Sequence, residues 1–294
     1  MSSIRAVVVG TGSMGPEIAA ALATAGLDTS IAGRDAGRTD AAAALARSYA
    51  DGRAVAAVPV APEMFTDADL VLETVVEDLA TKHDLLSRIE GWCRPETVIA
   101  TNTSSLRIAD IAAGLSRPGR FAGLHFLKPA HLTAVVELIP GPATDDGSTA
   151  LLRDVAARMG KAPLVAKRDV PGFIWNRIQF AVLRECLHML ETGVASAADI
   201  DAAVADGLAP RWVAAGPLAT ADLGGLATFA RICDGLFPHL ANDTEAPSAI
   251  TDPAAAGEPL QGWTRGPAAE IQRLRADSLA AGREIAERRK RLAP

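Results

Sequence analysis

The sequence predicts two domains, a doubly wound α/β domain over residues 1–168 and a smaller all-α domain over residues 169–294. Three observations carry this. From Ile4 to about Lys167, short apolar runs alternate with longer amphipathic ones, the pattern of strands and helices wound about a mostly parallel sheet. The first apolar run ends in a glycine-rich turn that opens a helix. Beyond "KRDVPGFIWNR" the strand-like runs stop and helical periodicity takes over.

Taken in order, "AVVVG" reads as a strand ending in a glycine turn, and Pro16 to Ala25 as a helix stopped by Gly26. "TSIAG" is a second strand, followed by an alanine-rich helix around Ala41 to Ala50. "LVLETV", "TVIATN", "FAGLHF" and "VVELIP" are further strands separated by helical segments. Asp169-Val170-Pro171-Gly172 is a turn that starts a helix over Phe173 to Glu191. Helices follow over Ala198 to Ala205 and Leu218 to about Gly235. "NDTEAPSAITDPAAAGEP" is polar and proline-rich and reads as a loop, and Ala268 to Arg291 as a charged helix. Its basic end, "REIAERRKR", suits the negative end of a helix dipole and reads as a solvated terminus.

Composition narrows the function classes. The chain has 294 residues, 49% hydrophobic and 22% charged, with net charge −6. That balance argues against a nucleic-acid binder with a broad basic surface. No run reaches the roughly 18–20 unbroken apolar residues of a membrane span, and "MSSIRAVVVG" is broken by glycine too early for a signal peptide. Cys93, Cys186 and Cys233 are odd in number and lack a CxxC spacing, which suggests reduced thiols and a cytoplasmic protein.

The turn Gly10-Thr11-Gly12-Ser13-Met14-Gly15 fits GxGxxG, and it follows a strand and precedes a helix. In a Rossmann-like domain such glycines permit the tight turn, the approach of a pyrophosphate and close helix–strand packing. The helix N-terminus then offers free amides and a positive dipole to the phosphates. A cofactor of the NAD(P)H type is expected. The second strand ends at Gly33, followed by Arg34 and Asp35. A carboxylate at the strand tip would repel a 2′-phosphate, whereas a glycine leaves room for it and an arginine can clamp it. NADP(H) is therefore favoured over NAD(H). The competing reading has Arg34 stacked on the adenine and Asp35 on the ribose.

"HFLKPAH", His125 to His131, places two histidines and a lysine within one short stretch. The histidines are six apart around a proline and no third ligand is implied by spacing, so no metal site is expected.

The ordered segments "ETVVEDLATKHDLL", "ATNTSSLRIADIA", "RFAGLHFLKPAHLTAVVELIPG" and "DVPGFIWNR", with "GPLATADLGGL" further on, resemble the L-3-hydroxyacyl-CoA dehydrogenase family. The resemblance extends to about Leu240. It implies interconversion of a 3-hydroxyacyl and a 3-oxoacyl group, carried on CoA, on an acyl carrier protein, or as a free anionic hydroxy acid. His125 matches the family's catalytic histidine and Glu137 its carboxylate partner. A histidine can give and take the proton that accompanies hydride transfer, and a carboxylate on its other nitrogen fixes its tautomer. Ser104 matches the serine that bonds the substrate oxygen, beside Asn102 at a strand's carboxyl end; the adjacent Ser105 can also serve as a helix cap. Glu77 and Lys82 match a pair near the nicotinamide and acyl carrier, with pairing at an exposed helix start as the plain alternative. Asn176 matches an asparagine that reaches the active site from the second domain, or is a helix amide bonded to backbone. A homodimer formed through the helical domain is also implied.

Two departures stand out. The family reads H-x-x-N-P where this chain has His125-Phe126-Leu127-Lys128-Pro129, so a neutral substrate-orienting amide becomes a cation. Lys128 then binds an anionic group of the substrate, or stabilises the alkoxide directly, or marks a specialised or weakened enzyme; the first is favoured. The family's late glycine-aromatic segment is replaced by "LQGWTRG", with Trp263 its remnant.

Overall fold

A computed structural model describes residues 4–256 and 268–291, so Trp263 lies outside the described residues. The chain divides into two compact units, Met1–Arg177 and Ile178–Pro294.

The first unit is built on an eight-stranded sheet in the order β3-β2-β1-β4-β5-β6-β7-β8. Its strands are β1 (Arg5–Val9), β2 (Asp28–Gly33), β3 (Ala56–Pro59), β4 (Leu70–Glu73), β5 (Val98–Thr101), β6 (Phe121–His125), β7 (Val135–Pro140) and β8 (Ala162–Val165). All neighbours are parallel except β6 and β7, which are antiparallel and place His125 directly opposite Glu137. The central strands β4 and β5 are buried on both faces, which is why their sequences are continuous apolar runs rather than alternating ones. The chain order reverses between β1 and β4, the position where ligands of open α/β sheets bind.

Helices cover both faces: α1 (Met14–Thr24), α2 (Ala36–Tyr49), α3 (Leu79–Trp92), α4 (Ile108–Ala112) and α5 (Asp146–Arg158). One apolar cluster joins α1, α2 and α5 to the sheet through Ile18, Leu22, Ala43 and Leu152. The other joins α3 and α4 through Leu86, Ile89, Ile108 and Ile111. Asp35, Asp78 and Asp145 cap α2, α3 and α5 by accepting backbone amides of the first turn. α4 departs from the expected scheme. Ser105 does not cap it; Asp169, some sixty residues on, accepts the Ile108 and Ala109 amides at 3.0 and 2.7 Å. Residues 169–177 pack with the first unit, because Phe173 is buried in its core.

α6 (Trp175–Glu191) begins in the first unit. The second unit continues with α7 (Ala197–Ala202), a π-helical turn (Ala203–Leu208), α8 (Ala209–Leu223), α9 (Leu226–Leu236), α10 (Ser248–Ala256) and α11 (Ala268–Lys290). The expected helix from Leu218 to Gly235 is two helices, parted at Gly225, whose φ of 91° suits only glycine. α8 itself kinks at Gly216, ahead of Pro217. The expected loop over 242–259 contains α10, whose alanine-rich end sustains a helix despite Pro253. Among the described residues of this unit, only Leu187 and Ile200 are buried hydrophobics. No helix in the described residues is long and apolar enough to cross a membrane.

Candidate active site

A cleft of about 870 Å³ opens at the carboxyl ends of β1, β2 and β4. Its floor is the glycine loop, with Gly10, Thr11, Gly12, Ser13 and Met14 on the lining and Gly15 behind them. The three glycines serve different ends. Gly10 has φ 134°, and a Cβ on it would lie 2.6 Å from the Thr74 carbonyl oxygen. A Cβ on Gly15 would lie 2.0 Å from the Gly10 carbonyl oxygen, so this glycine lets α1 close onto the loop. A Cβ on Gly12 would meet nothing within 4 Å. Packing within the chain does not require that glycine, and its open face is where a pyrophosphate fits. The cap residue of α1, Ser13, makes no side-chain capping bond, in contrast to α2, α3 and α5. The free amides of the first turn are thus left for phosphate oxygens. The residues present fit a nicotinamide dinucleotide.

Arg34, Asp35 and Arg38 line the same cleft. Asp35 Oδ1 accepts the Arg38 amide at 2.7 Å. Gly33 does not leave the space expected of it: a Cβ there would stand 2.2 Å from Thr39 Oγ1 and 2.7 Å from Thr11 Cγ2. This glycine admits close packing of the strand tip against α2 and the glycine loop.

At the carboxyl end of β6, His125 is 4% exposed. Its Nδ1 is 2.6 Å from Glu137 Oε2, and its Nε2 is 3.1 Å from Ser104 Oγ. A carboxylate only accepts, so the Nδ1 proton points at Glu137 and Nε2 is left to exchange protons on the Ser104 side. Glu137 is wholly buried, and its Oε1 accepts the Ile174 and Trp175 amides, both at 2.8 Å. These are amides at the start of α6, and they occupy the carboxylate oxygen that does not face His125. Phe173 and Trp175 stand edge-on to the imidazole, with ring centroids 5.8 and 6.2 Å away. Asn176 Nδ2 donates to the Ser104 carbonyl oxygen at 3.0 Å. Asn102 lines the cleft, and its Oδ1 accepts the Phe126 amide at 2.8 Å, fixing the chain just beyond His125.

Glu77 and Lys82 occupy different environments. Glu77 lines the cleft and gathers the serine loop, accepting Thr103 Oγ1 at 2.6 Å, the Ser104 and Ser105 amides at 2.8 Å, and Ser105 Oγ at 3.0 Å. Burial works against its ionisation, but the Thr103 hydroxyl, the two amides and the Lys82 charge outweigh it and lower its pKa to about 2. Lys82, expected to contact the cofactor, is 1% exposed and is not among the residues lining the cleft. Its Nζ donates to Glu73 Oε1 at 2.7 Å and stands 3.4 Å from Glu77 Oε2. Burial with two carboxylates makes it a structural counter-charge. Glu73 also takes the Val75 amide at 2.6 Å and Thr101 Oγ1 at 2.7 Å.

Lys128 is exposed, on the loop between β6 and β7, at a cis bond to Pro129. His131 stacks on Tyr49 with centroids 4.4 Å apart. Among the described residues, no group of three or more His, Cys, Asp or Glu side chains converges as a metal site requires.

Residues 5–170 match the family model of the 3-hydroxyacyl-CoA dehydrogenase NAD binding domain, and residues 172–261 that of the 3-hydroxyacyl-CoA dehydrogenase C-terminal domain. The chain belongs to the 3-hydroxyacyl-CoA dehydrogenase family. It is an oxidoreductase of a family acting on CH–OH with a nicotinamide dinucleotide. A 5-formyl-3-hydroxy-2-methylpyridine 4-carboxylate 5-dehydrogenase of Mesorhizobium japonicum is 33% identical, over 96% of this chain and 98% of the relative. A 3-hydroxybutyryl-CoA dehydrogenase of Bradyrhizobium diazoefficiens is 35% identical, over 82% and 86%. Among solved structures, one of a 5-formyl-3-hydroxy-2-methylpyridine 4-carboxylic acid 5-dehydrogenase, described as an NAD+ dependent dismutase, matches with TM-score 0.88. It is 29% identical and is covered to 99%, over 97% of this chain. The (S)-3-hydroxybutyryl-CoA dehydrogenase of Ralstonia eutropha matches with TM-score 0.68 and 30% identity, over 87% of this chain and 95% of that one.

Glu73, Glu17 and Lys161 have no role in the sequence reading, and Asp169 stands there only in a turn. Glu73 and Glu17 carried a signal: each is a lone acid inside an otherwise apolar element, "LVLE" and "MGPEIAAALAT". A charge in such a place is paired when buried.

Proposed function

We propose that this protein transfers hydride between NADP(H) and the CH–OH carbon of a small, anion-bearing hydroxy or oxo substrate, with His125 as acid and base. The observation that carries the reading is His125 held between the Glu137 carboxylate and the Ser104 hydroxyl. When bound, the dinucleotide supplies the hydride acceptor or donor. His125 Nε2 takes the substrate hydroxyl proton during oxidation and returns it during reduction. Ser104 Oγ hydrogen-bonds the substrate oxygen, and Asn176 steadies Ser104 through its carbonyl oxygen. Glu137 holds the ring and stabilises the imidazolium. In this reading residues 1–168 bind the dinucleotide, with Glu77 ordering the serine loop beside it, and residues 169–294 bind substrate and pair with a second copy.

Three substrate forms fit the family: a CoA thioester, a carrier-bound thioester and a free anionic acid. Lys128 favours the free anion, because a cation replaces a neutral amide three residues along the chain from His125. The near full-length match to a relative named for a pyridine carboxylate also supports this form. The test compares acetoacetyl-CoA, 3-hydroxybutyrate and 5-formyl-3-hydroxy-2-methylpyridine 4-carboxylate by NAD(P)H absorbance in wild type and Lys128→Asn. The variant gains activity on the thioester and loses it on the carboxylates. A variant worse on all three removes the anion-binding role.

NADP(H) is supported by Arg34 and Arg38 on the cleft and by the engagement of Asp35 in capping α2. Arg34→Ala lowers the ratio of kcat/KM for NADP(H) over NAD(H); an unchanged ratio contradicts it. A homodimer through the helical unit is supported by the exposure there of Leu218 (86%), Leu223 (81%) and Phe237 (64%). Sedimentation velocity returning a monomer contradicts it. The cysteine usage supports a cytoplasmic location.

A further inference from the structure

The loop between β6 and β7 is held from behind by two buried charges to which the proposed chemistry assigns no role. Glu17 is 6% exposed on α1, and its Oε2 accepts the Ala130 amide at 2.6 Å. Lys161 is 3% exposed, and its Nζ donates to the Ala130 carbonyl oxygen at 2.7 Å and to that of Thr133. Both polar groups of Ala130, itself fully buried, are thus bound by charged side chains. Burying a carboxylate costs desolvation that a well-packed apolar residue would avoid, and charge-assisted bonds are the compensation. Glu17 lies two residues beyond Gly15, on the helix whose first turn lines the dinucleotide cleft. Ala130 lies two residues beyond Lys128.

We propose that Glu17 is a positioning residue which, by holding the Ala130 amide, sets the Lys128 loop in register with the dinucleotide-binding helix. It touches no substrate and acts through Lys128, so the proposal rests on the anion-binding reading of that lysine. The specific consequence is an effect on the affinity for an anionic substrate that is separable from dinucleotide binding and from the proton-transfer step.

The experiment measures kcat and KM for 3-hydroxybutyrate, NADPH affinity by fluorescence, and hydrogen–deuterium exchange over residues 126–133. The variants are Glu17→Ala, Glu17→Gln, Lys128→Asn and the double variant Glu17→Ala/Lys128→Asn. Glu17→Ala raises KM by about tenfold or more, lowers kcat by less than about threefold, leaves NADPH affinity unchanged and speeds exchange over 126–133. Glu17→Gln keeps an acceptor for the Ala130 amide and stays within about threefold of wild type in KM. In the Lys128→Asn background, Glu17→Ala has no further effect on KM. The proposal is overturned if KM is unmoved, if the KM effect persists in full in that background, or if NADPH affinity falls in step. Glu17→Leu, which refills the volume, replaces Glu17→Ala if the alanine variant does not fold. If Lys128→Asn alone leaves the kinetics unchanged, the anion-binding reading fails instead, and the exchange over 126–133 still decides whether Glu17 holds the loop.

Discussion

Glu137→Gln is the substitution that most cleanly separates the proposed chemistry from the fold. The native carboxylate accepts three hydrogen bonds, from His125 Nδ1 at 2.6 Å and from the Ile174 and Trp175 amides at 2.8 Å. Alanine would orphan one buried and two part-buried donors, at up to about 1–3 kcal/mol each, and confound activity with unfolding. Glutamine keeps one carbonyl oxygen for the two amides, so the start of α6 stays satisfied. Its NH2 group then faces Nδ1, which must accept rather than donate, and the ring proton moves to Nε2, the wrong tautomer for taking a proton from substrate. Loss of a charge-assisted bond is worth about 1.5–3 kcal/mol, or about 10- to 150-fold in rate. Tautomer reversal adds to this; in the Ser-His-Asp hydrolases the equivalent change lowers turnover about 10⁴-fold. The expected fall in kcat/KM is therefore about 10²- to 10⁴-fold, with thermal midpoint and dinucleotide affinity close to wild type. Absorbance kinetics, differential scanning calorimetry and fluorescence titration measure the three quantities. A folded variant within about threefold of wild-type kcat/KM refutes the reasoning.

Three further outcomes follow from the same geometry. Gly12→Ala, whose Cβ meets nothing in the chain within 4 Å, keeps its unfolding midpoint but loses dinucleotide affinity in a fluorescence titration; equal affinity contradicts the pyrophosphate assignment. Lys82→Met strands the buried carboxylate of Glu73 and lowers unfolding free energy by about 3–5 kcal/mol in urea denaturation, whereas a direct cofactor ligand would show instead as lost affinity in a folded protein. The Glu77 pKa is lowered in the folded protein, from 4.5 to about 2, so its contribution to stability is fully present above its unfolded value. That contribution drains away as pH falls from about 4.5 towards 2, and Glu77→Gln flattens the corresponding slope of unfolding free energy against pH.

The central strands were legible because burial on both faces makes them unbroken apolar runs, as in "LVLE" and "VIAT". β3 and β8 were not. They form the two edges of the sheet, each is four residues long and incompletely buried, and each contains a proline. α10 was hidden by the polar and proline residues around it. At the candidate site, motif order pointed to His125, Glu137, Ser104 and Asn176, which hydrogen bonds bring together, and the antiparallel register explains why a twelve-residue separation brings the first two into contact. Glu17 and Lys161 were out of reach of such reasoning, since the bond from Ala130 to Glu17 spans 113 residues and no local pattern encodes it. Asp169, read only as a turn residue, caps a helix some sixty residues earlier for the same reason.

The claim that His125 exchanges the proton that accompanies hydride transfer is tested most directly by His125→Ala. The measurement is single-turnover NAD(P)H absorbance with the carboxylate and thioester substrates, at saturating dinucleotide. The account predicts unchanged dinucleotide affinity and a rate lowered by about 10²- to 10⁴-fold, the usual range for losing a general acid–base group. Turnover that persists at the wild-type rate contradicts it.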